Sequence, residues 1–394
     1  MFLKHTFVVL AFALLAQAVP TKRSPGFVSL DFNIVKTQKN VTFEGDASTL
    51  TKRDAVPVTL INEEIKYAVD ITVGSDKQKQ TVVIDTGSSD LWVVDPRATC
   101  IVTTKGQADD FCKQTGTYFP DSSSTANYLG TAFGTRYGDH SSAAGMWYTD
   151  TIGIGGVDIK DQRFGDVTTT SIAQGILGVG YKSNEAFAVY DNVPLSLKNQ
   201  GIISKTAYSL YLNSPDSKSG TIIFGGIDHA KYSGELITVP LTTGGEFRIH
   251  LNSLTIDGAT VPAALEGFLD SGSTYTHLQN SVFQQVSNKY NATYGPGPDG
   301  SNVYLVDCDL PGSIDFNFDN SAKISVPATE FAAALYNDDG EKFPKCQLSL
   351  VPGDVNILGD NFLRSAYVVY DLDDNEISLA QVKYTNDTDI AAIV

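Results

Sequence analysis

One pattern of side chains occurs twice in this 394-residue chain. "IDTGSS" (Ile84 to Ser89) returns as "LDSGST" (Leu269 to Thr274), with Asp270 standing 185 residues after Asp85. Each copy places one carboxylate at the end of an apolar run. A glycine two residues on permits a tight turn. The hydroxyls around it can hold the carboxylate by hydrogen bonds. A lone Asp-Thr-Gly is ordinary turn chemistry, but here each copy is followed by a second shared element, "GILGVG" (Gly175 to Gly180) and "NILGDN" (Asn356 to Asn361). Asp85 lies 91 residues before Ile176, and Asp270 lies 87 before Ile357. Two matched elements in one order and at nearly one spacing imply two similar lobes. Lobes meeting about a pseudo-twofold would bring Asp85 and Asp270 face to face. Two carboxylates in contact cannot both ionise readily, so they share a proton. One is then a base where the other is still an acid. A water between them can be deprotonated by one while the other donates to a substrate carbonyl. The product is a tetrahedral diol, with no covalent intermediate on the protein.

The elements that must position these loops read as strands. Most segments past residue 54 are short, apolar or alternating, and bounded by Gly, Asn, Asp or Ser, as in "TVVI", "YSLYL", "TIIFGG", "AYVVYDL" and "EISLAQV". The fold class is all-β, with two related lobes and few helices. The helical candidates are Ser281 to Tyr290, with Val282, Phe283 and Val286 on one stripe, Glu330 to Tyr336, and "VPLSLKNQG", stopped at Gly201. Hydrophobic residues make up 42%, which suits a folded chain, and the length suits more than one core. The lobe boundary falls near residues 240–247, giving an N-terminal lobe over 54–243 and a C-terminal lobe over 244–394.

The N-terminal end reads as targeting and processing. Lys4 and His5 precede an apolar run from Thr6 to Ala18 that ends in a small-x-small pattern, so residues 1–18 are expected to be a secretory signal peptide. The run is short for a membrane span. Dibasic pairs stand at Lys22-Arg23 and Lys52-Arg53. Cleavage after Arg53 would make 19–53 a pro-segment and begin the mature chain at Asp54. Residues 1–53 carry seven Lys/Arg and three Asp/Glu, a charge of +4; the remainder carries −21. A basic pro-segment could thus dock on an acidic body by ion pairing, and acid would weaken that attraction. The mature charge excludes nucleic acid and anionic membrane as expected partners.

Four cysteines, Cys100, Cys112, Cys308 and Cys346, allow three pairings in an oxidising compartment. Local pairing would keep one bridge in each half, each contributing about 3 kcal/mol in the chain-entropy model. No C-x-x-C occurs, so no zinc site is expected. Sequons at Asn291 and Asn386 are expected glycosylation sites, whereas that at Asn40 falls in the pro-segment.

"VVIDTGSSDLWV" with "FLDSGSTYTHL" resembles the pepsin family of aspartic endopeptidases from about residue 54 onward. "DNVPLSLKNQG", "YSLYLNSPDSKSGTIIFGGIDHAKYSG" and "ILGDNFLRSAYVVYDLDDNEISLAQVKYT" resemble more narrowly the candidapepsins, secreted aspartic proteinases of Candida yeasts. Aspartic proteases are themselves the standard example of two carboxylates sharing one proton. The resemblance implies a bilobal pepsin-like fold with a cleft between the lobes. It implies catalytic roles for Asp85 and Asp270, and hydrogen bonds from Ser88 and Ser273 to their outer oxygens. Thr86 and Ser271 would link the two loops. Gly87, Gly272, Ser273 and Thr274 would meet the substrate. "TRYGDHSS" (Thr135 to Ser142) would be a flap over it, with Tyr137 lining the cleft, Gly138 and Asp139 bonding the substrate backbone, and Trp92 anchoring the tyrosine. Two departures stand out. The second motif is DSGST where relatives usually have DSGTT, and His140 occupies a flap position where relatives often have Gly. A Gly there would support positive φ, so the turn of the tip is open to question.

Together these features imply a secreted, monomeric aspartic endopeptidase, acting on proteins and peptides in acid with no cofactor and no metal. Its partners would be its own pro-segment, a dibasic-processing protease and pepstatin-type inhibitors. The family implies a preference for bulky apolar side chains about the scissile bond. The alternative is a pepsin-like binding protein without catalysis; such proteins usually lack one Asp or its Gly, and both are intact here. The C-terminus has no long apolar tail, against a lipid anchor. "GILGVG" lacks the Lys-Ser/Thr of a phosphate loop. His229, His250 and His277 accompany no Ser or Cys triad motif and are expected to be structural or surface residues, while Trp147 and Tyr148 are expected to pack.

Overall fold

The computed structural model describes residues 26–41, 60–103, 107–186, 189–242, 244–298, 300–337 and 340–394, with the backbone alone for 36–41 and 60–65. The expected signal peptide, both dibasic pairs and the expected start at Asp54 lie outside these residues, as does the side chain of Asn40.

The chain is mostly β. A 13-stranded sheet holds nearly every strand up to Pro240, together with two late ones, Ala366–Asp371 and Glu376–Val382. A seven-stranded and a four-stranded sheet draw only on strands from Arg248 onward. Tyr232–Pro240 ends the first group of strands, and Arg248–Ile256 begins the second.

The strand leading to Asp85, Gln78–Asp85, is apolar for a reason. It pairs antiparallel with Leu60–Val73 and parallel with Ile176–Gly178, and Val82 to Asp85 are all buried. A strand covered on both faces has no use for alternation. Ala259–Leu269, leading to Asp270, is covered on one face and alternates along most of its length. Its end pairs parallel with Ile357–Leu358. The repeated Ile-Leu-Gly elements are therefore the parallel neighbours of the two aspartate strands, which accounts for their matched spacing.

Two of the three expected helices form. Asn280–Lys289 buries Val282, Phe283 and Val286, and Val193–Asn199 starts with Pro194 in its first turn and gives way to Gly201 at φ +67°. The third does not. Ala328–Phe331 is a short 3-10 turn, and Ala332–Tyr336 is a strand paired with Lys342–Leu348. Three alanines favour a helix, but the run is too short to hold one unaided. The return from Asn337 to Gly340, at φ +77°, closes a hairpin instead. Cys346 sits across from Ala334 and is bridged to Cys308. The other bridge joins Cys100 to Cys112, so both disulfides are local.

Val28–Val41 holds an internal place in the large sheet, between Ser219–Phe224 and Leu60–Val73. Phe27, Val28, Leu30 and Phe32 are buried, and the Phe32 ring meets Tyr67 edge-on at 5.4 Å. Each buried apolar side chain of this size contributes about 1.5–3 kcal/mol. The sequence suggests that this basic segment docks by charge. In the fold its first half is held by main-chain pairing and apolar burial.

Candidate active site

The two aspartates stand at the ends of their strands, where the backbone turns sharply. Val179 N donates to Asp85 O, and Gly178 N donates to Asp90 O, so the Ile-Leu-Gly strand grips its loop from the side. A Cβ on Gly178 would come within 2.5 Å of Ser89 N, and one on Gly359 within 2.4 Å of Ser273 O and Tyr275 O. The glycines of the Ile-Leu-Gly elements let the aspartate loops lie directly on the neighbouring strand.

The loops are joined by four buried hydrogen bonds with twofold character. Thr86 Oγ1 donates to Leu269 O (3.0 Å) and accepts from Ser271 N (2.9 Å). Ser271 Oγ donates to Ile84 O (3.1 Å) and accepts from Thr86 N (3.2 Å). Each hydroxyl donates to one main-chain group of the opposite loop and accepts from another, which fixes the spacing of the carboxylates. Each carboxylate is also held within its own loop. Gly87 N donates to Asp85 Oδ1 (2.8 Å) and Ser88 Oγ to Asp85 Oδ2 (2.5 Å). Gly272 N donates to Asp270 Oδ1 (2.9 Å) and Ser273 Oγ to Asp270 Oδ2 (2.6 Å). A Cβ on Gly87 would meet Asp270 Oδ1 at 2.4 Å, and one on Gly272 would meet Asp85 Oδ1 at 2.6 Å. Only glycine lets each loop approach the other's carboxylate.

Asp85 and Asp270 face each other across these glycines, close enough for the charge of Asp270 to act on Asp85, and two carboxylates so placed cannot both ionise readily. Asp85 is 5% exposed. Burial, and then the charge of Asp270, push its carboxyl up to about 7, against the hydrogen bonds from Ser88 and Gly87. Asp85 therefore keeps its proton through acid pH. Thr274 lies half-buried at the end of the second loop.

The strands Asn127–Arg136 and Ser142–Ile154 form the hairpin whose tip carries the expected flap residues. Trp92 is fully buried, and its Nε1 donates to Tyr137 Oη at 2.8 Å. Burial and the nearby Asp85 charge raise the Tyr137 phenol, so the hydroxyl stays protonated. Gly138, Asp139 and His140 are exposed. His140 has φ +68°, and its N–H donates to Tyr137 O. The tip thus keeps the left-handed turn with a histidine in it, at a cost of about 1–2 kcal/mol. Asp139 Oδ1 accepts from Ser141 N and Ser141 Oγ, so its side chain serves the turn. Between the flap and the Asp85 loop lies a cavity of about 460 Å³. Trp147 packs as expected, edge-on to Phe133 at 4.8 Å.

Several acids here escaped sequence reasoning. Asp90 is 6% exposed and accepts from Ala186 N and Tyr190 Oη. Its position inside the first motif was the available signal. Glu185 is pushed up to about 8 by burial, and Asp166, beside Asp95, likewise to about 8. Asp360, just after the second Ile-Leu-Gly, is fully buried, and neither carboxyl oxygen has a hydrogen-bond partner among the described residues. Burial raises it far above the carboxylate range. A buried pair, Arg364 and Glu330, closes the network behind it. Among the histidines, His277 is lowered by burial although Asp270 is near. Asn291 and Asn386 are exposed. No group of three or more His, Cys, Asp or Glu arranged for a metal ion occurs among the described residues.

Comparison with known proteins agrees with this geometry. The sequence model of the family "Eukaryotic aspartyl protease" matches residues 66–382. Candidapepsin-3 of Candida albicans (strain WO-1) is 58% identical over 398 residues, covering 100% of both chains. Secreted aspartic protease 1 and secreted aspartic protease 5 of Candida albicans are 56% and 48% identical, again over the whole of each chain. With paired aspartate loops locked to each other, a hairpin tip beside the first of them and full-length likeness to these enzymes, the chain belongs to the eukaryotic aspartyl protease family.

Proposed function

We propose that this chain is a secreted aspartic endopeptidase, made as a zymogen, in which Asp85 and Asp270 activate a water against a peptide carbonyl. The observation that carries this is the facing of two carboxyls, each held by a Gly N–H and a Ser hydroxyl, on loops tied together by Thr86 and Ser271. With one shared proton, the ionised carboxyl takes a proton from water while the protonated one donates to the substrate carbonyl oxygen. The diol then collapses, and the leaving nitrogen takes a proton from the pair. The lobes 54–243 and 244–394 would flank the cleft. Gly87, Gly272, Ser273 and Thr274 would meet an extended peptide from below. Tyr137, Gly138 and Asp139 would close over it, Asp139 through its main chain because its carboxylate is used in the turn. No metal or organic cofactor enters this scheme. The likeness to secreted aspartic proteases supports a secreted, extracellular location, and the two disulfides suit it. Exposed Asn291 and Asn386 would carry glycans, and the mature enzyme would act as a monomer sensitive to pepstatin-type inhibitors.

Residues 19–53 would be the pro-segment, released by a dibasic-specific protease after Arg53. The seat of Val28–Val41 inside the large sheet supports an active structural role for it, since its release opens a gap between Ser219–Phe224 and Leu60–Val73 that maturation must refill. The test compares the secreted chain with a Lys52→Ser/Arg53→Ser variant. The reading expects N-terminal sequencing to give Asp54 and acid proteolysis from the first, and an uncleaved, inactive protein from the second. Full activity of the uncleaved variant would overturn the zymogen reading.

A further inference from the structure

The cavity of about 460 Å³ beside the Asp85 loop has three walls. Ser88 belongs to the loop, Thr135 and Arg136 to the flap, and Ser183, Asn184 and Glu185 to a segment facing them. That third wall has no core of its own. Lys182–Asn184 is a single 3-10 turn with no buried residue. It is fastened from the catalytic loop instead. Asp90 Oδ2 accepts from Ala186 N at 2.9 Å, and Asp90 Oδ1 accepts from Tyr190 Oη at 2.8 Å, so one buried carboxylate grips the segment at two points. Ser89 Oγ adds a bond to Tyr181 O at 2.7 Å. Tyr190 in turn lies edge-on to Trp147 at 5.4 Å and beneath the Arg163 guanidinium at 5.1 Å, and its N–H donates to Glu185 Oε2. The wall position thus depends on Asp90, whose carboxylate is engaged by the segment and not by the reacting carboxyls.

We infer that Asp90 is a positioning residue that builds a polar side-chain subsite next to the catalytic loop, taking a hydrophilic substrate side chain at one position of the peptide. This rests on the endopeptidase reading above. The walls offer hydroxyls, an amide, a guanidinium and a carboxyl, groups that pair with a hydrophilic side chain and are left unpaired by a bulky apolar one. Loss of the carboxylate frees the Ala186 and Tyr190 donors, and the wall loses its register with the flap.

The experiment measures kcat and KM for a peptide series in which each position about the cleaved bond carries Ser, Gln or Leu, using the mature enzyme, Asp90→Ala, Asp90→Asn and Tyr190→Phe, with a thermal melt of each. The wild type is expected to favour Ser or Gln over Leu at one position. Asp90→Ala is expected to raise KM about tenfold for the favoured peptides, from two lost hydrogen bonds, and to erase that preference with kcat within about twofold. Asp90→Asn restores both, since its amide oxygen can accept from Ala186 N and its amide NH2 can donate to Tyr190 Oη. Tyr190→Phe keeps the ring packing and gives a smaller loss at the same position. If Asp90→Ala does not fold, Asp90→Asn and Tyr190→Phe still decide. A wild type without any hydrophilic preference, or variants that lower the melting temperature while leaving KM and preference unchanged, would overturn the inference. Absence of all cleavage by the wild type would instead sink the endopeptidase reading itself.

Discussion

The Asp85 and Asp270 loops share one hydrogen-bond frame and differ in what surrounds it. In both, Oδ1 takes a glycine N–H, Oδ2 takes a serine hydroxyl, and the next hydroxyl crosses to the opposite loop. Yet Asp85 is buried, with the flap tyrosine and Trp92 beside it, whereas Asp270 is half-buried and Gly272 is exposed. Each loop has its own buried acid, placed differently. The first motif continues into Asp90, where the second has Tyr275; the second Ile-Leu-Gly continues into Asp360, where the first has Val179. The repeat duplicates the frame that holds two carboxylates face to face. The surroundings differ, and burial raises the Asp85 carboxyl.

The comparison can be broken most directly at the carboxylates. Asp85→Asn and Asp270→Asn should each lower kcat by about 10³–10⁴-fold, because both the base and the acid are needed. Melting temperatures should hold or rise at neutral pH, since each change removes a like-charge contact. Matched kinetics and melts check this, and an active variant of either kind would separate the loops functionally.

Next come the crossing hydroxyls. Thr86→Val and Ser271→Ala each strand a buried carbonyl and a buried N–H, for about 2–4 kcal/mol of stability. Similar frames predict similar losses. The double variant should lose less than the sum, because the four bonds act as one unit. Urea unfolding of the three proteins reads both points.

The surroundings show themselves through pH. Asp85, Asp90, Asp166, Glu185 and Asp360 all have folded carboxyls raised above their unfolded values. A raised acid binds its proton more tightly when folded, so its contribution is complete below the unfolded value near 4 and is lost as pH climbs through the folded one. The melting temperature should therefore fall from about pH 4 through about pH 8, where Asp166 and Glu185 lose their protons. Asp166→Asn should flatten the upper part of that slope. Asp76 and Asp373 are shifted down and work the other way, but both lie toward the surface, where solvent screens them. A melting temperature that rises across this window would contradict the assignment.

The smallest effect is at the flap tip. His140→Gly relieves a left-handed residue in the folded hairpin and loosens the unfolded chain, for a net change within about 1 kcal/mol. A Gly that stabilises would sharpen the view that the turn, and not the imidazole, sets the tip.

Much of the site is legible in short motifs. The aspartate loops, the Ile-Leu-Gly elements and the flap segment depend on local residue types, namely glycine where backbones touch and hydroxyls beside carboxylates. What stays hidden depends on long-range packing. Asp90 looks like a surface acid until its partner Ala186, 96 residues away, is in place, and Asp360 until the fold buries it. The alanine run at Ala332–Tyr336 reads as helix because its strand partner lies beyond a turn. The depth of Val28–Val41 in the sheet is equally invisible, because charge alone suggests a surface dock.

The central claim is that two aspartates sharing a proton cut peptide bonds. The most direct test is cleavage of a denatured protein by the chain starting at Asp54, from about pH 3 to about pH 7, with and without pepstatin. The account predicts cleavage that is strongest in acid, fades as the pair loses its proton, and stops with pepstatin. Cleavage that persists undiminished at neutral pH, or that pepstatin leaves untouched, would contradict it.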